Sequence, residues 1–435
     1  MNTLGRLITR VATAAGLLGL ANIALANEEL VVLTSFPPSF YEVFVDRFAQ
    51  SHPDIEIKII QRSTASGVHF LLEREHVDVD LFWVSSPDAF ELLKSEGQLQ
   101  KVPFDNPTSQ TAIAGHPVHD PEGYYYGFAF STFGVAYNSQ YLADHGLEVP
   151  FRWQDLATPA YAGHLGITSP ARSGTSHFIV EAILQTFGWD EGWAMLSRMG
   201  GNLSTITARS FGVLDGIEQA RFGIGPTIDF LAFTGGPTPD TIGYRALEPL
   251  FLAPASIAAL QRSQNTKAAV IFVNFLMSPE GQRLLMDPEI GRIPVDDDLR
   301  SIALAQQGLG LAEAKADDGL VFDAALSARR YELVNIIFDE WVVANRQALS
   351  DNWQRLNPDM PEHASALALL SAPPITEARA DTIMANGVMR GASGDSLMSE
   401  AQQGVLAEIR SALQANIAAA EVILNSKPAA QVERN

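Results

Sequence analysis

Hydrophobic and polar positions past residue 27 alternate between two periods, one suited to strands and the other to helices. Leu30-Val31-Val32-Leu33-Thr34 is a continuous apolar run closed by Ser35-Phe36-Pro37-Pro38, as in a strand buried on both faces. Phe40, Val43, Phe44 and Phe48 then recur at helical spacing. Ile55–Ile60 and Val79–Val84 predict the next two strands, with a helix from near Thr64 to Glu75 between them. Ser85-Ser86-Pro87-Asp88 opens a helix that runs through Lys94, with a serine as cap and proline in the first turn. Strands and helices in alternation predict a parallel sheet covered on both faces.

The pattern loosens after Val102 and tightens again at Tyr124–Tyr137, an aromatic and β-branched run expected to cross between two lobes. A second α/β region follows to about residue 245, and Tyr244–Ile257 carries the chain back. Beyond residue 300 the sequence turns to Ala- and Leu-rich helices. In Ala324–Leu349 an apolar stripe (Leu326, Leu333, Val334, Ile337, Phe338, Trp341, Val342) leaves Arg329 and Arg330 outside it. A helix packed on the second lobe explains the stripe; a docking surface would require Trp341 or Phe338 to be exposed.

The first 26 residues change the picture of location. Arg6 and Arg10 precede the apolar run Val11–Ala21, and Ala24 and Ala26 frame a cleavage site, so a secretory signal cleaved after Ala26 is expected. The chain has no cysteine, which excludes disulfides, thiolate metal ligands and the lipid-bearing residue of an anchored bacterial protein. A protein free in the periplasm follows, without membrane insertion once the signal is removed. The formal charge of −21 opposes binding to nucleic acid or anionic lipid. At 435 residues more than one core is expected.

Four loops at predicted strand ends collect anion-binding donors: Thr34-Ser35, Ser85-Ser86, Arg172–Ser176 and Thr207–Ser210. Free N–H groups where helices begin, with arginines beside them, suit a phosphate or carboxylate. Any one loop is an ordinary helix cap; four together point to a ligand cleft. The candidate binding residues are Ser35, Arg62, Ser85, Ser86, Arg172, Ser173, Gly174, Thr175, Arg209, Ser210 and Asp229. No nucleophile elbow, P-loop or dinucleotide fingerprint occurs, and no cofactor or metal set is assembled, so a non-enzyme is expected.

An ordered set of segments resembles the iron- and organophosphate-type branch of bacterial extracellular solute-binding proteins, family 1. It comprises Val31–Phe48, Asp78–Trp83, Pro150–Leu156 with Pro159, Tyr161 and Gly163, Ser169–Thr175, Ala253–Ala258, and Phe272–Gln282. Ser204–Phe211, Gly223–Phe230 and the helical tail bring the likeness nearest to the regulatory binding components of phosphoglycerate transport. The resemblance implies an α/β, two-lobed periplasmic-binding-protein clamshell of type II with a helical C-terminal extension. Its expected parts are residues 27–127 with 258–295 as lobe 1, 128–257 as lobe 2, and 296–435 packing mainly on lobe 2. It implies capture of a small organic anion for an ABC permease or a membrane sensor kinase. Ferric iron is the alternative ligand, but Gly225–Phe230 lacks the adjacent tyrosines of iron-binding relatives.

Overall fold

The computed structural model describes residues 28–73, 78–103, 112–113, 116–233, 240–306, 322–389 and 398–426. The expected signal and its cleavage site lie outside the described residues. Strand β1 (Glu28–Thr34), helix α1 (Pro38–Ser51), β2 (Ile55–Gln61), α2 (Thr64–Glu73), β3 (Leu81–Val84) and α3 (Pro87–Ser95) alternate along the first part of the chain. Two short strands, β4 (Ala112–Ile113) and β5 (His116–Pro117), precede the long β6 (Tyr126–Asn138). Next come α4 (Ser139–Asp144), β7 (Leu165–Thr168), α5 (Gly174–Phe187), α6 (Trp189–Gly201), β8 (Leu203–Thr207), α7 (Phe211–Glu218), β9 (Ile224–Ile228) and α8 (Asp229–Phe233). The 18-residue β10 (Ile242–Ala259) returns to the first half. It is followed by α9 (Thr266–Met277), α10 (Pro279–Leu284), β11 (Ile293–Pro294) and α11 (Asp297–Gln306). The described tail is helical: α12 (Ala324–Phe338), α13 (Arg346–Arg355), α14 (Ala364–Ser371), α15 (Glu377–Ala385) and α16 (Glu400–Asn425).

One sheet runs through both halves in the order β2-β1-β3-β10-β6-β9-β7-β8, with β11 also pairing β6. The outer pairs β1–β2, β1–β3, β7–β8 and β7–β9 are parallel, whereas β6 and β10 run antiparallel to each other and to their neighbours. These two long strands are the crossing segments that the Tyr124–Tyr137 and Tyr244–Ile257 runs predict.

Local chemistry accounts for the elements. Strand β3 is buried at all four positions, which suits a parallel strand covered on both faces. Helix α1 buries Phe40, Phe44 and Phe48, one turn apart, against Trp83 and Phe272. Each such ring contributes about 1.5–3 kcal/mol by leaving water. Helix α5 starts where the Ser173 hydroxyl accepts from the Ser176 N–H at 3.1 Å, and stops at Gly188 in a left-handed conformation. A capping box between Ser399 and Gln402 starts α16.

The tail shares the core of the second half. Leu333, Val334, Ile337, Phe338 and Trp341 form one cluster with Phe178, Ile183, Trp193 and Leu196. Trp341 and Phe338 are each 1 % exposed, so the stripe is core rather than an open docking face. Arg330, expected outside the stripe, is instead buried. Glu181 neutralises it, accepting from its Nε at 2.8 and 3.0 Å, which makes the burial tolerable.

Candidate functional site

The strand-end loops face one another where the halves meet. Thr34 ties the ends of β1 and β3 by donating to the Trp83 carbonyl at 2.7 Å and accepting from the Phe36 N–H at 3.1 Å. This fixes Ser35 and Ser85 as neighbouring strand ends, both half-buried. Ser86 is fully buried and donates to Asp88 at 2.5 Å, inside the first turn of α3. Across the seam, Ser173 and Ser210 share a hydroxyl hydrogen bond of 2.6 Å. Gly174 lies against the first half: a methyl group there would sit 3.2 Å from Thr64 Oγ1 and 3.4 Å from Ser86 Oγ. Thr175, beside it, is half-buried. The candidate loops Ser85-Ser86 and Ser173-Gly174-Thr175 are thus brought together.

The three candidate arginines are not gathered in the same way. Arg62 is exposed, its guanidinium 4.2 Å from the centre of the Phe70 ring. Arg172 is exposed near Asp339. Burial pushes the Asp339 carboxyl up, against the Ser169 hydrogen bond and the Arg172 charge. Arg209 is exposed, and its carbonyl accepts from the Thr168 and Thr207 hydroxyls, both at 3.0 Å.

A fourth arginine occupies the junction itself. Arg292, one residue before β11, is wholly buried. Its Nη1 donates to Ser85 Oγ at 2.8 Å and to Ser131 Oγ at 3.0 Å. Phe36 and Phe40 of the first half and Phe230 of the second surround the guanidinium at 4.8, 5.2 and 3.7 Å. The remaining donors, Nε and Nη2, have no hydrogen-bond partner. Burial pulls the guanidinium down to about 9, against the pull of Asp229, so it stays cationic at neutral pH. An unsatisfied buried donor costs about 1–3 kcal/mol, more when charged. These two donors can each take an acceptor.

Asp229 supplies the nearby negative charge. It is fully buried, accepts from Thr132 N at 2.6 Å, Thr132 Oγ1 at 3.0 Å and Phe230 N at 2.6 Å, and through Thr132 is linked to the Tyr244 hydroxyl at 3.0 Å. Burial pushes its carboxyl up to about 6, while these N–H donors and Arg292 pull it down. Strand β6, the crossing strand, therefore carries Ser131 toward Arg292 and Thr132 toward Asp229.

Loop reasoning by strand ends passes over Arg292 because it follows no strand of the alternating pattern. The signal available was local: Ile290-Gly291-Arg292-Ile293-Pro294-Val295 places one charge inside an apolar run, and a charge so placed is buried only if something pairs with it.

Two α/β halves joined by antiparallel crossing strands, with strand ends and helix starts facing a shared seam, define the two-lobed periplasmic-binding-protein fold of type II. The chain belongs to the family of bacterial extracellular solute-binding proteins, whose profile matches residues 79–300. It is 31% identical over 366 residues to the phosphoglycerate transport regulatory protein PgtC of Salmonella typhimurium, covering 82% of this chain and 88% of that protein. Among solved structures it is similar to the periplasmic binding protein AfuA from Actinobacillus pleuropneumoniae with fructose-6-phosphate bound, at a TM-score of 0.62 and 15% identity. That likeness covers 73% of this chain and 99% of AfuA. The apo ferric ion-binding protein A of Pasteurella haemolytica matches with a TM-score of 0.59 and 16% identity, covering 72% of this chain and 98% of that one. The protein is a solute-binding protein, and no helix among the described residues is long and apolar enough to cross a membrane.

Proposed function

We propose that this protein captures a small organic anion, a phosphorylated or carboxylated metabolite, between its lobes. The observation that carries the reading is the buried Arg292 with Nε and Nη2 unpaired at the junction of the lobes. Two free donors on one planar guanidinium match the two oxygens of a phosphate or carboxylate. Ser35, Ser85, Ser86 and the Ser173-Gly174-Thr175 loop add hydroxyl and backbone donors at the seam, Ser210 adds one through Ser173, and Arg62, Arg172 and Arg209 lend positive charge from the rim. Asp229 is placed to accept from a ligand hydroxyl or amine. The names of PgtC and of the fructose-6-phosphate complex of AfuA support an organophosphate. A buried guanidinium would repel ferric iron, which supports an organic anion over that alternative.

In this reading residues 27–127 with 258–295 and residues 128–257 are the closing lobes, hinged at β6 and β10. The mature protein, cleaved after Ala26, delivers its ligand in the periplasm to an ABC permease or presents it to a sensor kinase, and performs no catalysis. Thermal-shift measurements with 3-phosphoglycerate, fructose 6-phosphate, citrate and ferric ion test the assignment. A rise in melting temperature with an organic anion, growing as RT ln(1 + [L]/Kd), is expected. Stabilisation by ferric ion alone would overturn it.

A further inference from the structure

Helix α12 grips both halves of the molecule at a point away from the crossing strands. Asp88 stands in the first turn of α3, His177 in the first turn of α5, and Ser327 and Asn335 lie on α12. All four are buried. His177 Nε2 is 3.2 Å from Asp88 Oδ2, and the Ser327 hydroxyl donates to the same oxygen at 3.2 Å. On the other side of the ring, His177 Nδ1 faces Asn335 Oδ1 at 2.7 Å. The Ser327 hydroxyl also lies 3.2 Å from Nε2, so that nitrogen faces a carboxylate and a hydroxyl of two different elements. The Tyr331 ring covers the imidazole with centroids 3.9 Å apart. Within the same helix, Arg330 is held to Glu181 of α5.

The cluster lies directly behind the seam. Asp88 accepts from Ser86, and His177 is three residues beyond Gly174, where an added methyl would lie 3.4 Å from Ser86 Oγ. Lobe opening would draw α3 away from α5, so Asp88 and His177 lose each other and α12 must release one half. Breaking a buried pair leaves an uncompensated charge.

We propose that α12 is an interlobe latch, in which the Asp88–His177–Ser327–Asn335 cluster holds the lobes closed and regulates ligand exchange at the seam. This rests on the clamshell reading above but not on the identity of the ligand. The groups that set its pH response are Asp88 on α3, His177 and Glu181 on α5, and Arg330, Tyr331 and Glu332 on α12. Burial alone would raise Asp88 and lower His177, but their mutual hydrogen bond and charge outweigh it, holding Asp88 below and His177 above their usual ranges. The charge pair therefore weakens as rising pH takes the proton from His177.

The absence of native cysteine allows one labelled pair to be introduced cleanly, with Asp46→Cys on the first half and Glu218→Cys on the second. Spin-label distances in the full, ligand-free chain should show one short population at pH 7. Asp88→Asn or His177→Gln should increase a longer-distance population at least tenfold. Ser327→Ala, which removes only the α12 hydroxyl bond and spares the charges, should move it in the same direction by less, with far-UV circular dichroism confirming the fold. Raising the pH of the parent protein past the His177 range should reproduce the shift. Distances that are the same in parent and variants, or a parent already open at pH 7, would overturn the latch. No ligand enters this measurement, so a failed anion site would show separately, in the thermal shifts with 3-phosphoglycerate.

Discussion

The Arg292 guanidinium lies 3.7 Å from the centre of the Phe230 ring, an arginine from beside β11 packed on an aromatic of α8. The contact joins the two halves at the level of the crossing strands and shields the cation from water. Stacking on a ring face stabilises a desolvated cation by about 2 kcal/mol, yet leaves its in-plane N–H groups free. The pairing thus holds the charge in place without using up the two unpaired donors.

Arg292→Met tests that separation of roles. A side chain of similar reach without charge removes two unpaired buried donors but leaves buried Asp229 without its nearby cation, so unfolding midpoints in urea should fall modestly. Affinity for the anion identified by thermal shift should fall by on the order of 2–5 kcal/mol, read by calorimetry. Unchanged affinity with lost stability would make Arg292 a packing residue.

Gly174→Val should act on closure rather than on the fold. Its side chain would meet Thr64 and Ser86 across the seam. Small-angle scattering should show the parent more compact than the variant when both are saturated with the same anion. Equal radii would place the seam elsewhere.

His119 predicts an acid-side loss of stability. Burial lowers its imidazole to about 4, below the ordinary value of 6.5, so the folded state resists protonation that the unfolded chain accepts. Stability contributed by neutral His119 is full above about 6.5 and is lost as the pH falls toward 4. His119→Phe, which keeps a ring against Tyr126, should flatten that fall by on the order of 1–3 kcal/mol. Parallel melting curves of parent and variant between pH 7 and 4 would contradict this.

Trp341→Ala should cost about 3–5 kcal/mol, because the indole is stacked on Trp193 at 5.8 Å in the core that the tail shares with the second half. Chemical denaturation reads this directly. A cost below about 1 kcal/mol would mean that the tail contributes little to that core.

Much of the fold is legible in the chain because its causes are local. The apolar run Leu30–Thr34, the phenylalanines one turn apart in α1, and Ser173 ahead of Gly174 act on their immediate neighbours, and period and capping follow from the residues themselves. The same holds for the crossing strand β6, whose aromatic and β-branched run stands out from the loop before it. Ser85, Ser86 and Ser173 were identifiable for the same reason, as residues where strands end and helices begin.

The pairings that decide the site have no local cause. Arg292 reaches Ser85 across 207 positions, Ser327 reaches Asp88 across 239, and Arg330 meets Glu181 across 149. A lone charge in an apolar run announces that a partner exists, but not which one, because the partner is chosen when separate elements pack. Local patterning dictates the alternating elements, their caps and the loops that carry donors. Packing of distant elements leaves Arg62, Arg172 and Arg209 at the surface while Arg292 is buried at the junction. The reason is that burying a charge requires hydrogen-bonding groups from several distant segments at once, and three-dimensional packing alone supplies them.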